Sequence, residues 1–512
     1  MTTLRIDVPG APPGDDMPVS PSLEGVGARA GEYRQVPVSH TYLDDCETPV
    51  SAMLKLRDGG PCFLLESAEQ GQRLGRYSMI GIEPQGVVRA EGGRVTLHRH
   101  DGSVEDLDAG DPFGAIQSLV DGVAMSPPED ALAFWGGAVG FFGYDLVRTV
   151  ENLPDVPEDD LGIPDMVMML TGPVVLFDHL RRSTTIIVPC PVEQGVDVAP
   201  AYETARARIR AIKARLQGPV PHPAPHGRVE VGPVESNTGH DRFCGSVEAV
   251  REYVFAGDAF QVVPSQRFSA SVGLEPFAVY RGLRTVNPSP YMFFIDCGDV
   301  QLAGSSPEML VKVTDGAVET RPIAGTRQRG ADRAEDLALA EELLADPKER
   351  AEHVMLVDLG RNDLGRVCAP GSVQVKDLMV VEFYSHVMHI ESSVVGELDE
   401  GRRAVDALRS TFPAGTLSGA PKVRAMEIID ELEHSRRGVY AGAVGYFSAN
   451  GTMDTCIALR TALVKDGVMY VQAGGGVVAD SNPEDEYQES VNKAKALFRA
   501  AQEAVRYAAR TG

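Results

Sequence analysis

The stretch Lys348-Glu349-Arg350-Ala351-Glu352-His353 and its counterpart Glu486-Tyr487-Gln488-Glu489 each place two glutamates three residues apart. If both stretches are helical, each pair lies on one helix face, about one turn apart. Four carboxylates brought together would repel one another and raise their own pKa values unless a cation lay among them. A small hard ion such as Mg²⁺ prefers oxygen ligands and keeps positions open for an anionic substrate. Two solvated acidic helix faces are the alternative, and spacing alone favours it.

Helix signals surround the second of these stretches. Asn482 can cap a helix, and Pro483 suits its first turn because that position needs no N–H donor. Lys493 follows Glu489 by one turn, so it can either neutralise the acids or bind a substrate carboxylate. A separate apolar stripe at helical spacing consists of Tyr487, Val491, Ala494 and Phe498. The sequence therefore predicts one closing helix over residues 483–509 with an acidic face.

The composition of the 512-residue chain excludes several classes of partner. Its formal net charge of -25 argues against nucleic acid or an anionic membrane surface, since binding either requires a basic protein surface. No apolar run reaches the ~18 residues of a membrane span, and no secretory signal is apparent. The 7 cysteines are scattered without a CxxC pair, which is typical of reduced thiols. We therefore expect a cytoplasmic location.

The chain divides into four parts by composition and pattern. Residues 1–32 are rich in Pro and Gly and are predicted to be a disordered tail. Residues 33–217 show mostly strand and turn patterns before a helix, and form an N-terminal region. Residues 218–234 include a Pro-rich run and are predicted to be a linker. Helical and strand patterns alternate over residues 235–512, the second domain.

One short internal echo links the two regions. Gly137-Ala138-Val139-Gly140-Phe141-Phe142 resembles Gly442-Ala443-Val444-Gly445-Tyr446-Phe447. Two similar glycine-bearing strands placed against each other would explain the echo. Chance explains it equally well, because one hexapeptide is thin support for a repeat.

Three further features have a chemical role only if other residues of a binding or catalytic site lie next to them. Gln472-Ala473-Gly474-Gly475-Gly476-Val477 is either a plain tight turn or a loop whose N–H groups bind an anion. Arg460 lies in an otherwise apolar strand pattern, where its charge needs either a structural salt bridge or a bound carboxylate. His389 also lies in an apolar strand pattern, where a core histidine is commoner than a catalyst. No Walker A or GxGxxG motif is present, so nucleotide binding has no support.

Taken together, the motifs resemble the chorismate-utilising enzymes, and among them the large, chorismate-binding component I of the anthranilate synthases. The resemblance covers residues 33–505 and keeps the family's order. The matching segments are Pro264-Ser265-Gln266, Gly304-Ser305-Ser306-Pro307-Glu308, Pro322-Ile323-Ala324-Gly325-Thr326-Arg327, Glu352-His353, Leu356-Val357-Asp358-Leu359-Gly360-Arg361-Asn362-Asp363-Leu364, Gly415-Thr416-Leu417-Ser418-Gly419-Ala420-Pro421 and the closing acidic helix. This resemblance implies an α/β (α+β) fold with two large antiparallel β-sheets packed face to face and helices on the outside.

The resemblance also implies an activity, in which chorismate and ammonia become anthranilate and pyruvate for tryptophan biosynthesis. Mg²⁺ would be the cofactor, held by Glu352 and Glu489 with Glu349 and Glu486 close behind. The residues implied to bind chorismate are Gln261, Gly325, Thr326, Tyr440, Arg460, Gly474, Gly475, Gly476 and Lys493. The residues implied in catalysis are Glu308 as the acid for loss of the ring hydroxyl, His389 as the group assisting pyruvate elimination, and Thr416 beside the ring.

Two positions separate this chain from its relatives. Isochorismate and salicylate synthases resemble it but carry a water-activating lysine where Gln261 stands. Aminodeoxychorismate synthases often carry a nucleophilic lysine where Ala324 stands, and an alanine cannot form a covalent adduct. Both differences favour ammonia attack and anthranilate. The alternative is an aminodeoxychorismate or 2-amino-2-deoxyisochorismate synthase.

The resemblance finally implies regulation and a partner. L-tryptophan would inhibit by binding between the two domains. The residues implied for that site are Glu66, Ser67, Pro290, Tyr291, Met292, Val444 and Tyr446. A glutamine amidotransferase (glutaminase) needs a nucleophilic Cys in a glycine-rich turn together with a downstream His-x-Glu motif, and the sequence contains no such combination. A separate glutaminase subunit, component II, would therefore supply the ammonia.

Overall fold

The computed structural model describes residues 17–67, 75–107, 110–129, 132–221, 231–384 and 387–508. The helices are α1 (Leu23–Gly27), α2 (Pro49–Leu56), α3 (Pro112–Val123), a 3₁₀ helix (Tyr144–Thr149), α4 (Ala199–Gln217), α5 (His240–Ala256), α6 (Pro276–Val286), α7 (Arg333–Ala345), α8 (Pro347–Gly365), α9 (Ala404–Thr411), α10 (Gly415–Ser418), α11 (Lys422–Leu432) and α12 (Pro483–Ala508). Within these described residues, no helix combines the length and apolar character needed to span a membrane.

Within the described residues, the strands form two large sheets and one two-stranded pair. They are β1 (Gln35–Leu43), β2 (Cys62–Glu66), β3 (Tyr77–Ile82), β4 (Gly86–Glu91), β5 (Arg94–Arg99), β6 (Val104–Asp106), β7 (Gly137–Phe142), β8 (Met166–Leu170), β9 (Val174–Asp178), β10 (Ser183–Pro191), β11 (Glu235–Ser236), β12 (Gln261–Val262), β13 (Ser265–Ser271), β14 (Tyr291–Asp296), β15 (Gln301–Ser306), β16 (Met309–Thr314), β17 (Ala317–Thr320), β18 (Ile323–Gln328), β19 (Gln374–Phe383), β20 (Val387–Glu397), β21 (Gly419–Ala420), β22 (Ala443–Ser448), β23 (Met453–Ile457), β24 (Thr461–Lys465) and β25 (Val468–Gly474).

Two large antiparallel sheets form the body of the fold, as predicted. In the described residues, the first sheet has 11 strands in the order β1-β10-β9-β3-β2-β14-β15-β24-β25-β13-β11. The second has 12 strands in the order β18-β20-β17-β16-β23-β22-β7-β8-β4-β5-β6, with β19 paired to β20. The side chains between the sheets are apolar, which stabilises their face-to-face packing. They include Phe141, Val167, Phe293, Leu302 and Val444.

Both sheets run through the N-terminal and the C-terminal parts of the chain. Strand β2 pairs with β14 in the first sheet, and β7 pairs with β22 in the second. Regions 33–217 and 235–512 therefore both contribute strands to each large sheet. The predicted boundary divides the sequence, but neither region forms a large sheet of its own. Of the predicted linker, residues 222–230 lie outside the described residues.

The predicted disordered tail is wrong for residues 17–32. Ser22 caps α1 by accepting from the Gly25 N–H, and Val26 is fully buried. Ser20 bridges to Ser39 on β1 through backbone hydrogen bonds of 2.8 and 2.9 Å. Composition concealed this order, because one buried Val and one cap anchor an otherwise polar segment. Residues 1–16 lie outside the described residues.

The echoed glycine strands do lie against each other. β7 and β22 pair antiparallel, with Gly140 directly opposite Gly445. A Cβ on Gly140 would lie 1.9 Å from the Val167 carbonyl oxygen, and one on Gly445 would lie 2.1 Å from the Asp454 carbonyl oxygen. Glycine is required at both positions because the next strand approaches so closely. The echo therefore marks the join between the two halves of the second sheet.

Helices cover the outer faces of the two sheets. α4, α6 and α12 pack on the first sheet, where the fully buried Ile209, Tyr280 and Ala504 lie in one core. On the second sheet, α3 and α9 pack around Phe113 and Leu408. α12 begins as predicted, since the Asn482 side chain accepts from the Glu484 N–H at 2.9 Å. The first turns of α12 thereby hold a fixed position beside β25.

Candidate active site

The two acidic stretches lie on helices whose charged ends face each other. Burial is the main cause that raises the pKa of both Glu352 on α8 and Glu486 on α12. The carboxylate of Glu489 raises both pKa values further, and the ammonium of Lys348 lowers both. Glu489 and Lys348 therefore act across the gap between the helices. The structure therefore brings the two acidic pairs together, as a shared cation site requires and two separate solvated helix faces do not.

Each acid has at most partial neutralisation from the protein. The Arg327 guanidinium donates to Glu349 at 3.0 Å, and Lys493 pairs with Glu489 at 2.7 Å. Gln261 donates its amide to Glu352 at 3.1 Å. Among the described residues, no three of these carboxylates approach within 4.8 Å of one another. The donor set fits Mg²⁺, because it consists of oxygen ligands, and two of them, the half-buried Glu352 and Glu486, form no ion pair among the described residues.

A cavity of about 280 Å³ opens beside these glutamates. Its lining includes thirteen of the residues predicted for catalysis, substrate or metal, namely Gln261, Glu308, Gly325, Thr326, Glu352, His389, Thr416, Tyr440, Arg460, Gly474, Gly476, Glu489 and Lys493. Glu349, Gly475 and Glu486 lie just behind this wall: a Cβ on Gly475 would be 2.7 Å from Glu486 Oε2, and one on Gly325 would be 3.1 Å from Glu349 Oε2. Residues from distant parts of the C-terminal region thus form one site.

Arg460 presents an unpaired cation to this cavity. In the part of the chain that the structure describes, its guanidinium makes no hydrogen bond or ion pair, although burial lowers its pKa and the Glu308 charge raises it. Its backbone has a φ of 48°, which is uncommon for a residue with a side chain. A strained, partly buried cation facing a cavity suits an anionic ligand. Arg460 therefore has no structural salt bridge to any described residue, and a bound carboxylate is the alternative that remains for its charge.

Glu308 lines the same cavity as Arg460. It is 8% exposed, and burial raises its pKa to about 8. The Ile323 amide and the nearby Thr416 hydroxyl lower the pKa in part, although that hydroxyl makes no hydrogen bond of standard geometry. At neutral pH the carboxyl group therefore carries a proton that it can donate.

His389 is buried on β20 and stays neutral. Burial lowers its pKa to about 4. Its Nδ1 lies 3.2 Å from the carbonyl oxygen of Gly325, which can only accept, so Nδ1 carries the proton. The Thr326 hydroxyl lies 3.0 Å from the same nitrogen. The other nitrogen, Nε2, is thereby left as a proton acceptor at the cavity wall.

The glycine loop is needed for close packing rather than for an unusual backbone angle. A Cβ on Gly474 would lie 2.1 Å from the Pro264 carbonyl oxygen, and one on Gly476 would lie 2.4 Å from Gln261 Nε2. Lys493 donates to the Gly474 carbonyl at 2.8 Å. The loop therefore ties β25, the start of α12 and Gln261 together at one edge of the cavity.

Sequence reasoning missed a buried pair that supports the cavity from behind. Arg437 pairs with Glu433 at 2.6 Å and donates to the carbonyls of Leu417 and Val263, each at 2.7 Å. Glu433 also accepts from the N–H and hydroxyl of Ser265 at 2.8 and 2.9 Å. The spacing of four residues was the available signal for this pair. It fixes the segments that carry several cavity residues.

A second cavity, of about 510 Å³, lies where β2, β14 and β22 meet. All seven residues predicted for the regulatory site line it, namely Glu66, Ser67, Pro290, Tyr291, Met292, Val444 and Tyr446. The Tyr291 hydroxyl donates to Asp454 at 3.1 Å, and the buried Ser67 hydroxyl has no partner among the described residues. Its volume is in the range of small-molecule pockets.

Comparison with known proteins places this geometry in one family. The model for chorismate binding enzymes matches residues 60–499. The chain is 47% identical over 490 residues to an anthranilate synthase component 1 of Acetivibrio thermocellus, covering 94% of this chain and 99% of that protein. It is 48% identical over 491 residues to one of Cereibacter sphaeroides, covering 95% and 98%.

Solved structures give the same result for the fold. Anthranilate synthase component I from Streptococcus pneumoniae is 39% identical, with a TM-score of 0.73, over 89% of this chain and 98% of that one. A menaquinone-specific isochorismate synthase from Escherichia coli shares the fold at 19% identity, with a TM-score of 0.66, over 94% and 99%. The chain therefore belongs to the family of chorismate binding enzymes.

Proposed function

We propose that this chain is the chorismate-converting subunit of an anthranilate synthase, a lyase that forms anthranilate and pyruvate from chorismate and ammonia. The observation that carries the proposal is the composition of one cavity, in which an unpaired cation, a protonated acid and a neutral imidazole face two acidic helix ends. Chorismate carries two carboxylates, so it needs two positive sites, and Arg460 supplies one. The names of relatives more than 45% identical over nearly their whole length support the same activity.

Mg²⁺ fits the second positive site. Glu352 and Glu489 would hold the ion, with Glu349 and Glu486 behind them. When bound, the ion supplies positive charge for the ring carboxylate of the substrate. Lys348 and Lys493 reduce the repulsion between the glutamates, since the first lowers the pKa of Glu352 and the second pairs with Glu489.

Glu308 and His389 divide the proton transfers according to their charge states. Glu308 is protonated at neutral pH, which suits it to donate a proton to the departing ring hydroxyl. His389 is neutral and offers Nε2, which suits it to accept a proton as the ring becomes aromatic. The buried position of both groups keeps bulk water away from these steps.

The residues at two positions favour ammonia as the nucleophile. Gln261 has no basic group, and its amide is held by Glu352 at 3.1 Å, so it cannot activate water. Ala324 lines the cavity with a methyl group, so it cannot form a covalent adduct with the ring. We propose that a separate glutaminase subunit delivers the ammonia, in a cytoplasmic complex, as the designation "component 1" of the relatives suggests.

The second cavity is proposed as the site of inhibition by L-tryptophan. Its Tyr291 stands opposite Ser306 in the β14–β15 pair, and Ser306 contacts the backbone of Glu308 at 3.3 Å. Val444 stands opposite Cys456, and the next residue, Ile457, donates to the Glu308 carbonyl at 3.1 Å. A ligand that displaces Tyr291 or Val444 therefore acts on the strand ends that position the proposed acid.

One assay tests the proposed activity. The purified chain alone receives chorismate, Mg²⁺ and ammonium salt above pH 8, and the blue fluorescence of anthranilate is followed. We expect fluorescence with ammonium and none with glutamine as the only nitrogen source. Consumption of chorismate without pyruvate release would instead indicate an amino-deoxy product and overturn the anthranilate proposal.

A further inference from the structure

A separate group of metal-binding side chains lies on the outside of the fold, where α5 meets the start of α12. His240 and Cys244 stand four residues apart on α5, so both lie on one helix face. Glu484 lies in the first turn of α12 and points to the same place. One ligand atom from each of the three lies within 4.8 Å of the others. None of the three lines either cavity.

The imidazole of His240 is held in the orientation that a metal ligand needs. Its Nδ1 lies 2.8 Å from the Asp241 carboxylate, while Nε2 lies 2.8 Å from Glu484 Oε2 and 3.7 Å from Cys244 Sγ. The ring also packs edge-on against Tyr487, with the ring centroids 4.7 Å apart. A carboxylate on the far nitrogen of a metal-binding histidine commonly fixes the ring and increases its basicity. Asp241 has that position here.

We propose that His240, Cys244 and Glu484 bind a zinc-type divalent ion, with Asp241 as the carboxylate that orients the imidazole. One nitrogen, one sulfur and one oxygen ligand suit Zn²⁺ or Co²⁺, whereas Mg²⁺ requires oxygen ligands throughout. Tetrahedral zinc with bonds of ~2.0–2.3 Å places its ligand atoms roughly 3.3–3.6 Å apart. The nitrogen–sulfur separation already approaches that value. The distance of 2.8 Å between His240 Nε2 and Glu484 Oε2 has to widen by about half an ångström, which the exposed Glu484 side chain allows, and the fourth position stays open to water.

Such an ion would join α5 to the first turn of α12. Glu486 and Glu489 follow Glu484 on the same helix, within its first two turns. The ion would therefore brace the helix that carries two of the active-site glutamates, without taking their place. The site differs from that of the proposed cofactor in both its ligand atoms and its location.

Cobalt titration of the metal-free, full-length protein tests the site. Binding through Cys244 should produce the near-ultraviolet band of thiolate-to-cobalt charge transfer, saturating at one ion per chain and removed by Zn²⁺. Cys244→Ser should abolish the band. Asp241→Asn should weaken binding by about 10- to 100-fold while keeping the band, as expected for an orienting carboxylate.

Two control variants make the result specific. Cys46→Ser removes an exposed thiol that follows β1, at the opposite edge of the first sheet from β11, and should leave the band unchanged. Glu489→Gln changes the acidic helix face and should also leave it unchanged. His240→Ala and Glu484→Gln alter exposed side chains and should each weaken cobalt binding at least tenfold, which tests the site even if Cys244→Ser does not fold. A titration without the band, or a band that persists in Cys244→Ser, would overturn the proposal and leave the cluster as hydrogen-bonded ion pairs only.

Discussion

The substitution Glu308→Gln separates the effect of a buried acid on the stability of the fold from its role as a proton donor. Burial raises the pKa of Glu308 from its ordinary 4.5 to about 8. Between these two values the folded protein keeps a proton that the unfolded chain has lost, so its stability falls as pH rises. Integrated from pH 5 to pH 9, the loss is about 4 kcal/mol, taking ~1.4 kcal/mol for each pKa unit. Glutamine keeps the shape of the protonated acid and does not ionise.

We therefore expect Glu308→Gln to resemble the wild type in stability at pH 5 and to exceed it by several kcal/mol at pH 9. Urea unfolding at both pH values measures this difference. Activity should change in the opposite direction, since removal of a proton donor typically costs ~10²–10⁴-fold. In the wild type, kcat/KM per unprotonated ammonia should fall about tenfold per pH unit above about pH 8, because Glu308 then loses its proton.

The matched control is Asp296→Asn on β14. Burial also raises the pKa of Asp296, yet this residue lies outside both cavities. Its replacement should alter how stability depends on pH and leave the decline of activity above pH 8 in place. If Glu308→Gln gained no stability at high pH, or kept wild-type activity, the assignment of Glu308 as a protonated acid would be wrong.

Three further variants test other parts of the site. His389→Ala should slow anthranilate formation by ~10²–10⁴-fold in steady-state turnover, while equilibrium binding of chorismate is retained. Unchanged turnover would remove His389 from the mechanism. Ser67→Arg replaces the unpartnered Ser67 hydroxyl with a long cationic side chain that fills the second cavity. This variant should retain activity but lose inhibition by tryptophan in a dose–response assay, and continued inhibition would contradict the placement. Arg437→Met leaves Glu433 buried without its cation and should destabilise the fold by about 3–5 kcal/mol in urea. The surface change Arg424→Met is its control and should cost at most about 1 kcal/mol, so equal effects would argue against a supporting role for the buried pair.

The fold could be predicted from the sequence mainly through motif order and strand patterns. The echoed glycines marked a real pairing, because a strand that packs closely on its neighbour needs Gly140 and Gly445 at matching positions. The strand patterns did not show that both regions contribute to both sheets. Pairings such as Glu66 with Met292 join residues more than 200 positions apart, and no local signal encodes them.

The sequence predicted those site residues whose charge alone requires a partner. An arginine in an apolar strand pattern and paired glutamates at helical spacing indicated charge that needs a partner. The strand prediction was wrong for Arg460 itself, which lies in the bend between β23 and β24. The buried pair of Arg437 and Glu433 was missed, because charged residues four apart at the end of a helix usually lie in solvent. Only the tertiary structure places them under the cavity, where they hold Leu417 and Ser265.

The proposed reaction depends on one Mg²⁺ ion that two helices, far apart in the sequence, hold for a doubly charged ring. A crystal structure of the protein with Mg²⁺ and anthranilate or a similar ring carboxylate tests it most directly. We expect the ion between Glu352 and Glu489, with the ring carboxylate against it and His389 at the ring. Density for the ring without an ion, or with these two glutamates turned into solvent, would show that Glu352 and Glu489 do not form a Mg²⁺ site.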